Sequence, residues 1–235
     1  MEKNDAGVRR QAGTNLKNAQ TGEIIYTPPQ DYEIIQNLLT NLESYINEPN
    51  ELDLLVNMAI IHHQFESIHP FYDGNGRTGR IINILYLILK DLLDIPVLYL
   101  SRYIITHKAD YYRLLQEVRT EDKWEEWILY MLEAVEQTSL ETIELINNIS
   151  ELMIKTQDKI SSELPKLYSK DLVEILFMHP YTKIEFLVDR LHITRKTASK
   201  YLSELENNGI LKNIQIKNSK YFINVELFDL LRKGI

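Results

Sequence analysis

Residues 69–80 read His-Pro-Phe-Tyr-Asp-Gly-Asn-Gly-Arg-Thr-Gly-Arg, a run whose residue types could hold a polyphosphate and move a proton beside it. Gly74 and Gly76 let the backbone approach a ligand closely and present its N–H groups, and a helix starting directly after them aims its positive N-terminal end at the same place. Arg77 and Arg80, three apart, share one face of that helix's first turn and offer forked donors to phosphate oxygens. Asn75 adds a neutral donor. Asp73 stands as an isolated carboxylate among these groups, which suits a Mg²⁺ ion bound by one carboxylate and by phosphate oxygens. His69 supplies a base whose unperturbed pKa is about 6.5. A histidine, a Gly-x-Gly or an arginine pair alone would be ordinary structure; their fixed spacing is what singles the segment out. There is no Walker lysine and no Gly-x-Gly-x-x-Gly after a strand, so neither a P-loop nor a dinucleotide-binding turn accounts for it.

Several elements must position this loop. Residues 8–29 are turn-rich and end in Glu23-Ile24-Ile25-Tyr26-Thr27-Pro28-Pro29, which predicts a β-hairpin. From Asp31, apolar residues at Ile34, Ile35, Leu38, Leu39, Leu42 and Ile46 recur at helical spacing until Pro49. The next helix, about 52–66, is apolar nearly all round and belongs in the core. The Gly- and Pro-rich loop then feeds a strongly apolar helix at about 77–93. Further helices are predicted at about 106–119 and 122–160, the latter capped by Asp122. Pro165 marks the boundary between a first domain, 1–164, and a second, 165–235. In the second, helices at 171–178, from a Thr182 cap to Arg190, and at 194–208 precede a hairpin at 210–225, the order of a winged helix-turn-helix. The expected fold is therefore mainly α, with a small hairpin and a C-terminal winged helix.

Composition excludes some classes and leaves others open. The apolar run from Ile81 to Leu89 is far short of the roughly 20 residues that span a bilayer. Residues 1–10 lack the apolar stretch of a secretory signal, and a cytoplasmic protein is expected. The absence of cysteine removes disulfides and thiolate chemistry. A net charge of −8 argues against general nucleic-acid affinity. Within residues 171–235, however, Lys and Arg outnumber Asp and Glu. Arg195, Lys196 and Lys200 lie on the presumed recognition helix, with Lys217 and Lys220 at the hairpin tip, where a winged helix meets DNA phosphates.

The segment 69–80 resembles the signature of the Fic family, His-Pro-Phe-x-Asp/Glu-Gly-Asn-Gly-Arg-x-x-Arg, at every specified position. The preceding His62-His63-Gln64-Phe65-Glu66-Ser67-Ile68 resembles the usual approach to it, and the similarity extends over about residues 8–120. The resemblance implies a Fic-fold helical core and a protein adenylyltransferase, which moves AMP from ATP to a Ser, Thr or Tyr hydroxyl of a target protein. In that reading His69 is the base and Asp73 the Mg²⁺ ligand. Gly74, Asn75 and Gly76 support the α-phosphate, while Arg77 and Arg80 neutralise the departing pyrophosphate. Phe71 is buried under the loop. The hairpin at 8–29 is the family's flap, to which a target segment adds as a strand. Tyr99, Tyr103, Tyr111 and Tyr112 are candidates for the adenine pocket, and a homodimer is compatible with the family. UMP or phosphocholine as donor would be compatible with the same residues.

Many Fic proteins are restrained by a Ser/Thr-x-x-x-Glu-Gly/Asn helix whose Glu meets the second signature arginine. Here the pattern occurs only as Ser44-Tyr45-Ile46-Asn47-Glu48, followed by Pro49. The expectation is a truncated or unrestrained form with Arg80 free. The alternative function is a DNA-binding regulator that uses the Fic core as a nucleotide-binding or scaffold module.

Overall fold

A computed structural model describes residues 7–17 and 21–234. The chain divides into two compact units, Met1–Ser139 and Leu140–Ile235. The fold is mainly α, with two small antiparallel sheets.

In the first unit, β1 (Leu16–Lys17) and β2 (Ile24–Tyr26) pair Leu16 with Tyr26 and Lys17 with Ile24 across an irregular register. The expected hairpin is thus present as a short ladder, and residues 18–20 of its tip lie outside the described residues. Helix α1 (Tyr32–Asn47) starts at Asp31, whose carboxylate accepts from the N–H of Glu33 and Ile34 at 2.8 and 3.1 Å. Helix α2 (Leu54–Ile68) buries Met58, Ala59, Ile61, Phe65 and Ile68 together with the polar Asn57, His62, His63 and Glu66. A helix wrapped in protein on most sides explains its all-round apolarity. Helix α3 (Asn75–Leu89) packs against it. The core is completed by Trp127, fully buried, whose indole N–H donates to the Ala59 carbonyl at 2.9 Å.

Two boundaries differ from expectation for local reasons. Instead of one helix at about 106–119 there are α4 (Ser101–Thr106) and α5 (Lys108–Glu121). The Thr106 hydroxyl donates to the carbonyls of Arg102 and Tyr103 at 3.0 and 2.9 Å, giving the backbone a competing arrangement at the junction. Asp122 does not cap α6 (Trp124–Glu163); it closes α5 in the left-handed region at φ 58°, its N–H on the Val118 carbonyl.

The second unit contains the later part of α6, then α7 (Lys170–Met178), β3 (Tyr181–Thr182), α8 (Ile184–Leu191), α9 (Arg195–Asn207), β4 (Lys212–Ile216), β5 (Ser219–Ile223) and α10 (Val225–Gly234). Its sheet has the order β3-β5-β4, all antiparallel. Leu172, Leu187, Ala198, Leu202, Leu205 and Phe222 form its core. Thr182 pairs with Phe222 in the sheet, and the residue before α8 is Lys183. Helix α10 was not expected; Asn224 starts it by accepting from the Leu227 N–H at 3.2 Å. No helix among the described residues is long and apolar enough to cross a membrane.

Candidate active site

His69 closes α2 in the left-handed conformation, φ 47° and ψ 58°, its N–H on the Phe65 carbonyl at 3.0 Å. Glycine or asparagine usually takes that position, so the surrounding structure must hold a histidine there. Arg9 does so. Fully buried, it donates from Nε to the His69 carbonyl at 2.9 Å and from Nη2 to the Ile68 carbonyl at 3.4 Å and to the Pro29 carbonyl. Its backbone N–H donates to the Pro70 carbonyl at 2.9 Å. One side chain therefore satisfies the last carbonyls of α2 and ties them to the chain leaving the flap. Tyr72 adds a second tie, its hydroxyl accepting from the N–H of Arg10 and Gln11 at 3.1 and 3.0 Å.

Asn75, buried, clamps the loop across its mouth. Its Oδ1 accepts from the Phe71 N–H at 2.9 Å and its Nδ2 donates to the Phe71 carbonyl at 2.8 Å. Gly74 adopts φ 84° before α3, a conformation open to glycine, and no side chain caps that helix. The first N–H groups of α3 are left to a ligand or water, the arrangement an anion site requires. Asp73 lies at the outer edge, 94% exposed, with Oδ1 accepting from the Gly74 N–H at 2.7 Å and Oδ2 3.3 Å from Arg77 Nη2. Arg80 donates from Nε to the Ser101 hydroxyl at 2.7 Å. The sequence led us to expect Arg80 free, but it is engaged by Ser101, and it also lies in the field of Glu66, on the run into the signature. Among the described residues no three His, Asp or Glu side chains converge as a metal cage. A single outward carboxylate beside an open helix N-terminus fits Mg²⁺ held largely by phosphate and water.

Behind the loop lies a buried polar layer. His62 Nε2 meets the Tyr111 hydroxyl at 2.9 Å, and burial pulls the pKa of His62 and of His63 down to about 4. Burial pushes Glu66 up to about 7 against the pull of Arg80 and Arg119. His69 is held below its ordinary value, again chiefly by burial. Gly79 makes the layer possible, because a Cβ there would lie 3.1 Å from Glu66 Oε1 and 3.1 Å from His62 Cε1. Sequence reasoning left Gly79 as an unspecified position, although a glycine inside a helix, about 1 kcal/mol worse than alanine, is itself a signal. Arg9 carried no such signal. Of the tyrosines considered for adenine, Tyr111 is core, bonded to His62, while Tyr103 stacks on His107 at 4.1 Å and Tyr99 and Tyr112 are exposed.

Residues 4–87 match the Fic/DOC family, and residues 152–227 match the C-terminal domain of SoFic-like protein adenylyltransferases. The chain thus carries a Fic/DOC domain and a SoFic-like C-terminal domain. Over 79 residues it is 34% identical to a probable protein adenylyltransferase of Aquifex aeolicus (strain VF5), a stretch covering 34% of this chain and 24% of that protein. The match thus spans about a quarter of the curated relative. A crystal structure of a Fic family protein from Desulfovibrio desulfuricans G20 resembles this fold with a TM-score of 0.51 at 21% identity, over 92% of this chain and 62% of that one. The Fic match ends inside α3, so it contains the whole of the loop, all of α2 and most of α3.

Proposed function

We propose that this Fic-domain protein is a protein adenylyltransferase that transfers AMP from ATP to a Ser, Thr or Tyr hydroxyl of a target protein. The observation that carries the reading is the complete signature, folded as a loop that sets His69 beside an uncapped helix N-terminus. The name of the Aquifex relative and the SoFic-like match support it.

His69 takes the proton of the incoming hydroxyl. The oxygen attacks the α-phosphorus, the bond to the bridging oxygen breaks, and pyrophosphate leaves. Gly74 and Gly76 expose the N–H groups that receive the α-phosphate, and Asn75 serves it by keeping the loop in shape. Arg77 and Arg80 take up charge on the leaving group. Asp73 would hold Mg²⁺, which supplies charge neutralisation at the phosphates when bound. Catalysis is positioning plus electrostatics. We assign the chemistry to residues 1–164 and a winged helix-turn-helix module to 165–235, acting in the cytoplasm as a monomer or homodimer. The DNA-regulator alternative has less behind it: Arg195 is paired with Glu185 at 2.9 Å and Lys200 with Glu204 at 3.6 Å.

The test is covalent labelling with Mg²⁺ and α-phosphate-labelled ATP in the presence of lysate. A general base contributes about 10²–10⁴-fold, so His69→Ala is expected to lose label while keeping ATP affinity. Equal labelling by both proteins would refute the assignment.

A further inference from the structure

A carboxylate inside a helix that is otherwise core is expensive to bury, and Glu66 has no full set of partners to offset it. Its Oε1 is buried without a hydrogen bond. One turn on, His69 Nδ1 is also buried without a hydrogen bond, and Glu66 Oε2 lies 3.8 Å from it. It is Oε2, not the unbonded Oε1, that faces the buried Nδ1, across less than an ångström of slack beyond hydrogen-bonding distance. The left-handed turn at His69 brings this about by curling the ring back over the last turn of α2. The His69 side chain keeps 16% of its exposure although Nδ1 is buried, so the remaining exposure lies on the rest of the ring.

We propose that Glu66 is the positioning residue of His69: its carboxylate accepts the Nδ1 proton, fixing the tautomer in which Nε2 carries the lone pair that receives the target's proton. The same logic underlies any histidine base oriented by a buried carboxylate. Gly79 makes the space for Glu66 on α3; burial pushes its carboxyl up to about 7, and Arg80 from α3 and Arg119 from α5 pull it back toward its ionised form. Burial chiefly, then Arg9 and Arg119, oppose a charge on His69, while the backbone of Glu66 favours it. The Tyr111 hydroxyl, from α5, is occupied by His62, which burial keeps neutral.

This proposal rests on His69 as the base, so the test reads His69 directly. In ¹⁵N-histidine-labelled chain, long-range correlation NMR reports the tautomer and titration of each ring, with the His69 signals assigned by their loss in His69→Gln. Wild type is expected to show Nδ1–H at His69. Because Glu66 ionises only near 7, above the range in which His69 takes its proton, the His69 ring signals should follow that ionisation through about pH 7 in wild type and not in Glu66→Gln. The part of the transfer-rate profile that reflects Glu66 ionisation near 7 should vanish in that variant, and the plateau should fall about tenfold, part of a general base's contribution. Should Glu66→Gln not fold, the reciprocal measurement in folded chain decides: the Glu66 carboxyl ¹³C titration must shift in His69→Gln. An unchanged His69 tautomer and titration in folded Glu66→Gln, or an unchanged Glu66 titration in His69→Gln, overturns the assignment. A chain that transfers no nucleotide but shows the NMR coupling would sink the adenylyltransferase reading and leave the pairing standing.

Discussion

His69 holds a backbone conformation that glycine adopts more readily, and the arginine that stabilises it comes from sixty residues upstream. Replacing Arg9 by methionine leaves the carbonyls of Ile68, His69 and Pro29 without their charged donor. Hydrogen bonds to charged groups contribute about 1.5–3 kcal/mol each, so Arg9→Met should lower stability in chemical denaturation by roughly 2–5 kcal/mol. Arg9→Lys, which cannot reach several carbonyls at once, should recover only part of this. Gly79→Ala forces a Cβ into contact with Glu66 and His62, and overpacking of this kind costs about 1–3 kcal/mol. Its thermal unfolding should reveal the loss, and a variant as stable as wild type would show that the polar layer gives way more easily than its geometry implies. The chemistry-bearing residues 69–80 were legible because they are contiguous. Arg9 was not, because its role depends on a contact across the fold, and Glu66 was visible only as part of a familiar run.

At the scale of elements, α2 carries two histidines and a glutamate into the core, and their protons set a pH dependence. His62 and His63 titrate near 4 in the folded chain and near 6.5 unfolded, so the unfolded chain binds more protons between those values and stability is lost as pH falls through that window. Glu66, raised from 4.5 to about 7, has the opposite sign: its contribution is present at low pH and lost as pH rises through 7. Two groups outweigh one, so the unfolding temperature should rise from pH 4.5 to 6.5, and it should rise more steeply in Glu66→Gln. A flat or falling profile would contradict the buried, neutral state of both histidines. Helices α1 and α9 were readable from periodicity and caps, Asp31 and Thr194 each bonding the first turn. Asp122 and Thr182 misled because a residue fit to cap a helix also fits a left-handed C-terminus or a strand. The α4–α5 break turns on the Thr106 hydroxyl, a detail that periodicity does not register.

For the whole molecule, the proposal of a winged-helix module in an acidic chain raises the question of DNA. With Arg195 and Lys200 engaged by glutamates and a net charge of −8, the chain should bind duplex DNA no more tightly than the roughly 10⁻⁴–10⁻⁶ M of non-specific binding at physiological salt. Fluorescence anisotropy would show it, and a tighter, sequence-dependent complex would restore the regulator reading. The central claim is nucleotidyl transfer, and the most direct measurement compares ATP labelled on the α-phosphate with ATP labelled on the γ-phosphate, each incubated with the chain, Mg²⁺ and lysate. The account predicts covalent label on protein from the α position alone, abolished in His69→Ala. Label arriving from the γ position, or none from either while ATP is bound, would contradict it.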